Sequence, residues 1–223
     1  MSDMRTEVQK CPHCSKESKL TIYSSINVTL DPKLKKKILD TSIFEWECPY
    51  CHEKFDLVYD FLYHDMDADY MMFFEPNELP ANEYKEDAEF PPMPPIFKMD
   101  TYQLRQVHGL NRLKEKIKII DDKFSDIVIE FVKLSAKIHN EELRVCDIYY
   151  ESKKDDSISF TFFNNETKKW GSFSMPMEVY DSNKSFIEQN EEFAPAKNKC
   201  PEVNEAWVHE CIKRYMSTHE NDK

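Results

Sequence analysis

The chain has 223 residues, 40% of them hydrophobic and 13% aromatic, which is enough for one large packed domain or two small ones. Acidic residues outnumber basic ones, 42 to 30, for a formal charge of -12, so nonspecific attachment to a phosphate backbone is disfavoured. No run of about 18 apolar residues occurs, and the opening MSDMRTEVQK is polar; a membrane-spanning helix and a secretory signal are thereby disfavoured, and the cytoplasm is the expected compartment.

In chain order, the residues near Thr6 to Gln9, then SKLTIYSSINVTL, SIFEWE, KFDLVYDF and YMMFF, read as short strands. Phe44 with Trp46 and Phe55 with Leu57 show the period-two alternation of a half-buried sheet. Between them DPKLKKKILD predicts a short helix, capped by Asp31 and with Pro32 in its first turn. Its Lys33, Lys35, Lys36 and Lys37 form a solvated face, with Leu34, Ile38 and Leu39 turned inward. These elements make a first domain over 4–75. Residues 76–100 follow as a linker or strap, because prolines and acids displace the periodic pattern there.

The second domain is expected over 101–218. TYQLRQV reads as a strand, NRLKEKIKII as a helix, and SDIVIEFVKLSAKIH as a longer helix. In that longer helix Ile127, Phe131, Leu134 and Ile138 recur at helical spacing, with Ser125 or Asp126 as the cap. RVCDIYYES, SISFTFFNN and KWGSFSM suggest an antiparallel meander, and two helices close the chain. The expected class is α+β: a β-rich first domain, made a ribbon by its cysteines, followed by an α+β domain. Trp170, Trp207, Phe160, Phe162 and Phe163 are expected to fill the second core, while Cys146, Cys200 and Cys211 lack metal spacing. With glycine only at 109 and 171, no glycine-rich phosphate loop is expected.

The chemistry concentrates in CPHC (Cys11, Cys14) and CPYC (Cys48, Cys51). A thioredoxin-like site places Cys-x-x-Cys at the start of a helix, where the dipole activates the thiol. Here strand-like residues follow both pairs and only ten residues precede the first. Two hairpin turns facing one another, as in a zinc ribbon, instead present four thiolates to one zinc ion. Such a site is closed, so the metal is structural, supplying on the order of 10 kcal/mol to a ribbon with little core; on this reading Cys48→Ser loses the zinc and unfolds the first domain. His13 and His52 are expected to be exposed neighbours of the ligands. Knuckles favour positive φ just after the second cysteine, commonly a glycine, and this chain has Ser15 and His52 there.

CPHC, INVTLDPKLKKKILDTSIFEWECPYC and FLYHDMD together resemble the CpXC-domain family of bacteria and archaea, over roughly residues 8–74, with a looser likeness through the later helices and strands. The resemblance implies Cys11, Cys14, Cys48 and Cys51 as metal ligands and brings no established activity.

One further constellation is YHDMD, with Tyr63, His64, Asp65 and Asp67. A histidine beside carboxylates suits a second metal or an acid/base pair; it equally suits a turn in which aspartate caps backbone amides. The functional expectation is a zinc-binding interaction module with a protein partner, not an enzyme. Two alternatives stand beside it: a nucleic-acid-associated regulator using Lys33 to Lys37, and a hydrolase using a second metal at His64 and Asp65.

Overall fold

The computed structural model describes residues 2–78, 88–89, 101–196 and 199–220. The chain divides into two compact units, residues 1–78 with 92–109 and residues 79–91 with 110–223. Together they are α+β.

The first unit is built on a five-stranded mixed sheet. Strands β1 (Asp3–Lys10) and β2 (Glu17–Asn27) form an antiparallel hairpin whose turn carries CPHC. Helix α1 (Pro32–Leu39) follows, then a short 3-10 turn over Ser42–Phe44. A second hairpin, β3 (Glu45–Glu47) and β4 (Lys54–Asp56), carries CPYC. Strand β5 (Phe61–Asp65) returns parallel to β2 and pairs antiparallel with β6 (Tyr70–Glu75). Strand β8 (Gln103–His108) lies parallel to β6, so the order is β1-β2-β5-β6-β8, with β7 (Ala88–Glu89) falling in the second unit.

Alternation of large apolar residues explains the sheet's packing: Phe61, Tyr63 and Asp65 are buried along β5 while Leu62 and His64 are only partly covered. Phe44, Phe61 and Phe74 cluster with ring centroids 5.2–6.4 Å apart. Ile26, Ile38, Tyr63 and Met72 are fully buried around them. Helix α1 behaves as its pattern predicts, burying Leu34 and Ile38. Its cap differs from expectation. Asp31 makes no side-chain cap bond; its carboxylate instead accepts from the Ser2 hydroxyl at 2.5 Å.

The second unit holds β7 (Ala88–Glu89), which pairs with β12 (Lys199–Cys200). Helices α2 (Leu110–Asp121) and α3 (Asp126–His139) precede the expected meander of β9 (Cys146–Lys154), β10 (Ser157–Asn164) and β11 (Lys169–Pro176), in the order β11-β10-β9. Helices α4 (Met177–Glu188) and α5 (Glu205–Glu220) complete it. Ser125 caps α3 by accepting from the Val128 N–H. One core joins α3 to the inner face of the meander through Val132, Ile148, Tyr150 and Phe160; another packs Phe131, Phe193 and Trp207.

The structure revises the expected boundary and part of the expected second core. The expected boundary at 101 moves to 109, because TYQLRQV supplies β8 to the first unit's sheet. Most of the expected linker, 79–87 and 90–100, lies outside the described residues. Trp170 does not fill the core. Register places it opposite Phe163 on the outer face of the meander, where it is 59% exposed, because alternation sends Phe160 and Phe162 inward and Phe163 outward. Ile138 likewise faces solvent at the end of α3.

Candidate metal centre

The two cysteine turns are built alike. In the first, the Cys11 N–H donates to the Lys16 carbonyl and the Ser15 N–H to the Cys11 carbonyl, both at 2.9 Å. In the second, the Cys48 N–H donates to the Glu53 carbonyl at 3.0 Å and the His52 N–H to the Cys48 carbonyl at 2.9 Å. Ser15 has φ 62° and His52 φ 60°, so both knuckles take the left-handed turn without glycine. For an L-residue that conformation costs about 1–2 kcal/mol. The turn geometry was legible from the spacing, and the residue type alone understated it.

Folding of the two hairpins brings the four sulfurs within 4.8 Å of one another. The edges Cys11 Sγ···Cys51 Sγ and Cys14 Sγ···Cys48 Sγ are each 3.7 Å, so each crosses from one knuckle to the other. That is well beyond a disulfide of about 2.05 Å. Cys11 and Cys48 are buried, Cys14 and Cys51 half-buried, and Trp46, Leu20, Phe55 and Leu57 pack around them. Among the described residues these cysteines are the one group of three or more such side chains whose ligand atoms converge, and they are compatible with a metal site.

Their electrostatics are divided. Burial would raise the Cys48 thiol, but the backbone N–H groups of Tyr50 and Cys51 and the thiols of Cys11 and Cys51 bring it down to about 6. The Cys51 thiol receives the Glu53 N–H, which lowers it, yet burial and the sulfurs of Cys48, Cys11 and Cys14 push it up to about 12. One thiolate forms readily and opposes the next; a cation at the centre removes that opposition. His13 and His52 are exposed, as expected, and the His52 Nδ1 stands 3.0 Å from Glu47 Oε1.

Of the YHDMD residues, Tyr63 and Asp65 meet, the Tyr63 hydroxyl standing 3.5 Å from Asp65 Oδ2, while His64 turns to other partners. Tyr63, His64 and Asp65 lie on β5, and Asp67 follows in the turn. Asn27 Oδ1 accepts from the Leu30 N–H at 3.1 Å, which turns the Asn27 amide nitrogen toward His64 Nδ1 at 3.4 Å. His64 Nδ1 is therefore the acceptor, and the ring proton sits on Nε2, donating to the Tyr102 hydroxyl at 3.1 Å. Burial holds the His64 pKa below its ordinary value, against the opposing pull of Asp65. Asp65 Oδ1 accepts from the Asp67 and Ala68 N–H groups at 3.2 and 3.3 Å, and Oδ2 from Lys35 at 3.1 Å. Lys35, counted with the solvated lysines, is thus drawn to the sheet.

A charged cluster in the second unit was not anticipated. Arg112, Glu115 and Lys116 on α2 meet Asp126, Glu130 and Lys133 on α3, and all but Arg112 are at most 4% exposed. Lys133 Nζ lies 2.5 Å from Glu115 and 2.8 Å from Glu130; Lys116 donates to Asp126 at 3.0 Å and to the Val203 carbonyl at 2.7 Å. Glu115 also accepts from the Tyr150 N–H at 2.6 Å, tying β9 to α2. Burial would raise the Glu115 carboxyl, but Lys133, Arg112 and Lys116 lower it. Three cations balance three carboxylates, and the cavity beside Lys133 and Lys137 is too small for more than a water molecule. The cluster is an internal ionic bond between elements.

Paired hairpins presenting four convergent cysteines define a double-knuckle, cysteine-cluster protein with an appended α+β unit. The family model of the CpXC protein matches residues 9–133, more than half of the chain, taking in both knuckles, the mixed sheet from β2 onward, helix α2 and the first half of α3. The chain belongs to the CpXC family. No curated protein and no solved structure matches it significantly.

Proposed function

We propose that Cys11, Cys14, Cys48 and Cys51 hold one structural Zn2+, and that the protein works as a protein-binding module. The observation that carries the metal reading is the pair of 3.7 Å sulfur edges. Thiolates about 2.3 Å from a tetrahedral zinc stand about 3.8 Å apart. With all four positions taken by sulfur, the ion has none for water or substrate, so its work is to join the knuckles. The acidic balance of the chain favours a protein partner over a phosphate backbone. His64 and Asp65 support the sheet in this reading, since Asn27, Tyr102, Lys35 and two backbone amides already engage them.

Elemental analysis of the purified full chain tests the metal: one zinc per chain is expected, and iron or no metal would overturn it. Two metals per chain would favour the hydrolase. Steeply salt-dependent binding to nucleic acid would favour the regulator.

A further inference from the structure

Strand β1 lies at one end of the five-stranded sheet and pairs with β2 alone among the described strands. Its solvent face carries Met4, Thr6 and Val8, and Met4 and Val8 are 59% and 67% exposed. Its other face carries Arg5 and Glu7, whose side chains are 2.8 Å apart. An exposed edge of eight residues is a template for another strand, and proteins ordinarily guard it with charge.

We propose that β1 pairs antiparallel with β1 of a second copy about a twofold axis at Thr6, joining the two sheets into one. A twofold axis that keeps sheet faces aligned must bring residues of the same parity opposite each other, which leaves few registers. Centred on Thr6, the register sets Arg5 against Glu7 twice, Met4 against Val8 twice, and Thr6 against itself. Centred on Arg5 or on Glu7, it sets like charges on the axis, which is destabilising. Centred further out, on Met4 or Val8, it shortens the overlap within Asp3–Lys10. The Thr6 register alone combines near-full overlap, opposite charges on one face and apolar pairs on the other. The existing Arg5–Glu7 contact becomes one side of a square of alternating charge. Arg5 also donates to Asp60 at 3.0 Å, on the far side of β2 from the edge, so its guanidinium is already ordered over the sheet face.

The test is the solution mass of the full chain by sedimentation equilibrium, from micromolar to several hundred micromolar. A concentration-dependent dimer is expected. Glu7→Arg sets two arginines against each other at both charged pairs and is expected to raise the dimer dissociation constant about tenfold or more; Arg5→Glu does the same with two glutamates. An equimolar mixture of the two variants is expected to recover the dimer, since the acids of one chain then face the arginines of the other. Should Arg5→Glu fail to fold for want of its Asp60 contact, Thr6→Lys, an exposed change placing two lysines on the axis, is expected to give the same loss. A wild type that stays monomeric, or a dimer indifferent to Glu7→Arg and Thr6→Lys, overturns the proposal.

Discussion

Replacing Cys48 with serine removes one corner of the sulfur cluster, and the structure confines the damage. The second hairpin and its flank, residues 45–57, contain strands of only three residues each. Ordering that stretch at roughly 1 kcal/mol per residue costs on the order of 13 kcal/mol. Against this, burying Trp46 and part of Phe55 returns about 3–6 kcal/mol, their rings lying 5.9 Å apart. On the proposed reading a structural zinc would supply on the order of 10–16 kcal/mol, and the metal would then decide whether the hairpin exists. The main sheet does not depend on it in this way, because Phe44, Phe61, Phe74, Tyr63 and Met72 form a core of their own. Cys48→Ser is therefore expected to lose the metal and melt residues 45–57, with β5 and β6 intact, rather than unfold the whole first unit as the sequence suggested. Hydrogen exchange read by mass spectrometry, with elemental analysis on the same sample, measures both. A variant that keeps one equivalent of zinc and unchanged protection across 45–57 would refute the reasoning.

Chelation of the wild type should produce the same exchange pattern, reversed by added zinc. Ser15→Gly and His52→Gly should each stabilise the metal-loaded protein by about 0.5–1 kcal/mol by relieving the left-handed turn, seen as a higher urea midpoint. Lys133→Met should cost about 3–5 kcal/mol in urea unfolding by leaving Glu115 and Glu130 buried without it, and adding Glu115→Gln should recover part of that loss. His64 supplies a pH dependence. The unfolded chain takes up the proton from about 6.5 downward and the folded protein only at lower pH, since burial lowers the folded value. The stability due to neutral His64 is thus full above 6.5 and lost as pH falls through the folded value. Thermal melts at pH 7 and pH 5 should differ less in His64→Gln than in the wild type.

Much of the site was readable because its geometry is local. Two residues between cysteines, with strand pattern on either side, leave a knuckle as the natural turn, and two knuckles leave four sulfurs to meet. The boundary at 101 was not readable for the opposite reason: β8 joins β6 across residues 76–102, and parallel pairing over such a distance leaves no local mark. Trp170 was misplaced because aromatic content alone does not reveal which face a residue takes, whereas register does.

The buried charges are the instructive case. On α3, Asp126, Glu130, Lys133 and Lys137 recur at helical spacing, and such a stripe ordinarily faces water. Yet apolar residues occupy the rest of that helix, with Ile127, Phe131 and Leu134 turned to one core and Val128, Val132 and Ala136 to another. A helix claimed on two sides by separate cores has little circumference left for solvent, so its charged stripe goes inside, which is tolerable only where another element supplies opposite charge in register. Helix α2 does so, with Glu115 and Lys116 spaced to meet it. The pairing was foreseeable from the two helices together and from neither alone. A slip of α2 along α3 by one residue would separate three ion pairs inside the protein, Lys116 with Asp126 and Glu130 and Lys133 with Glu115, and the cost of leaving those charges buried apart opposes any such slip.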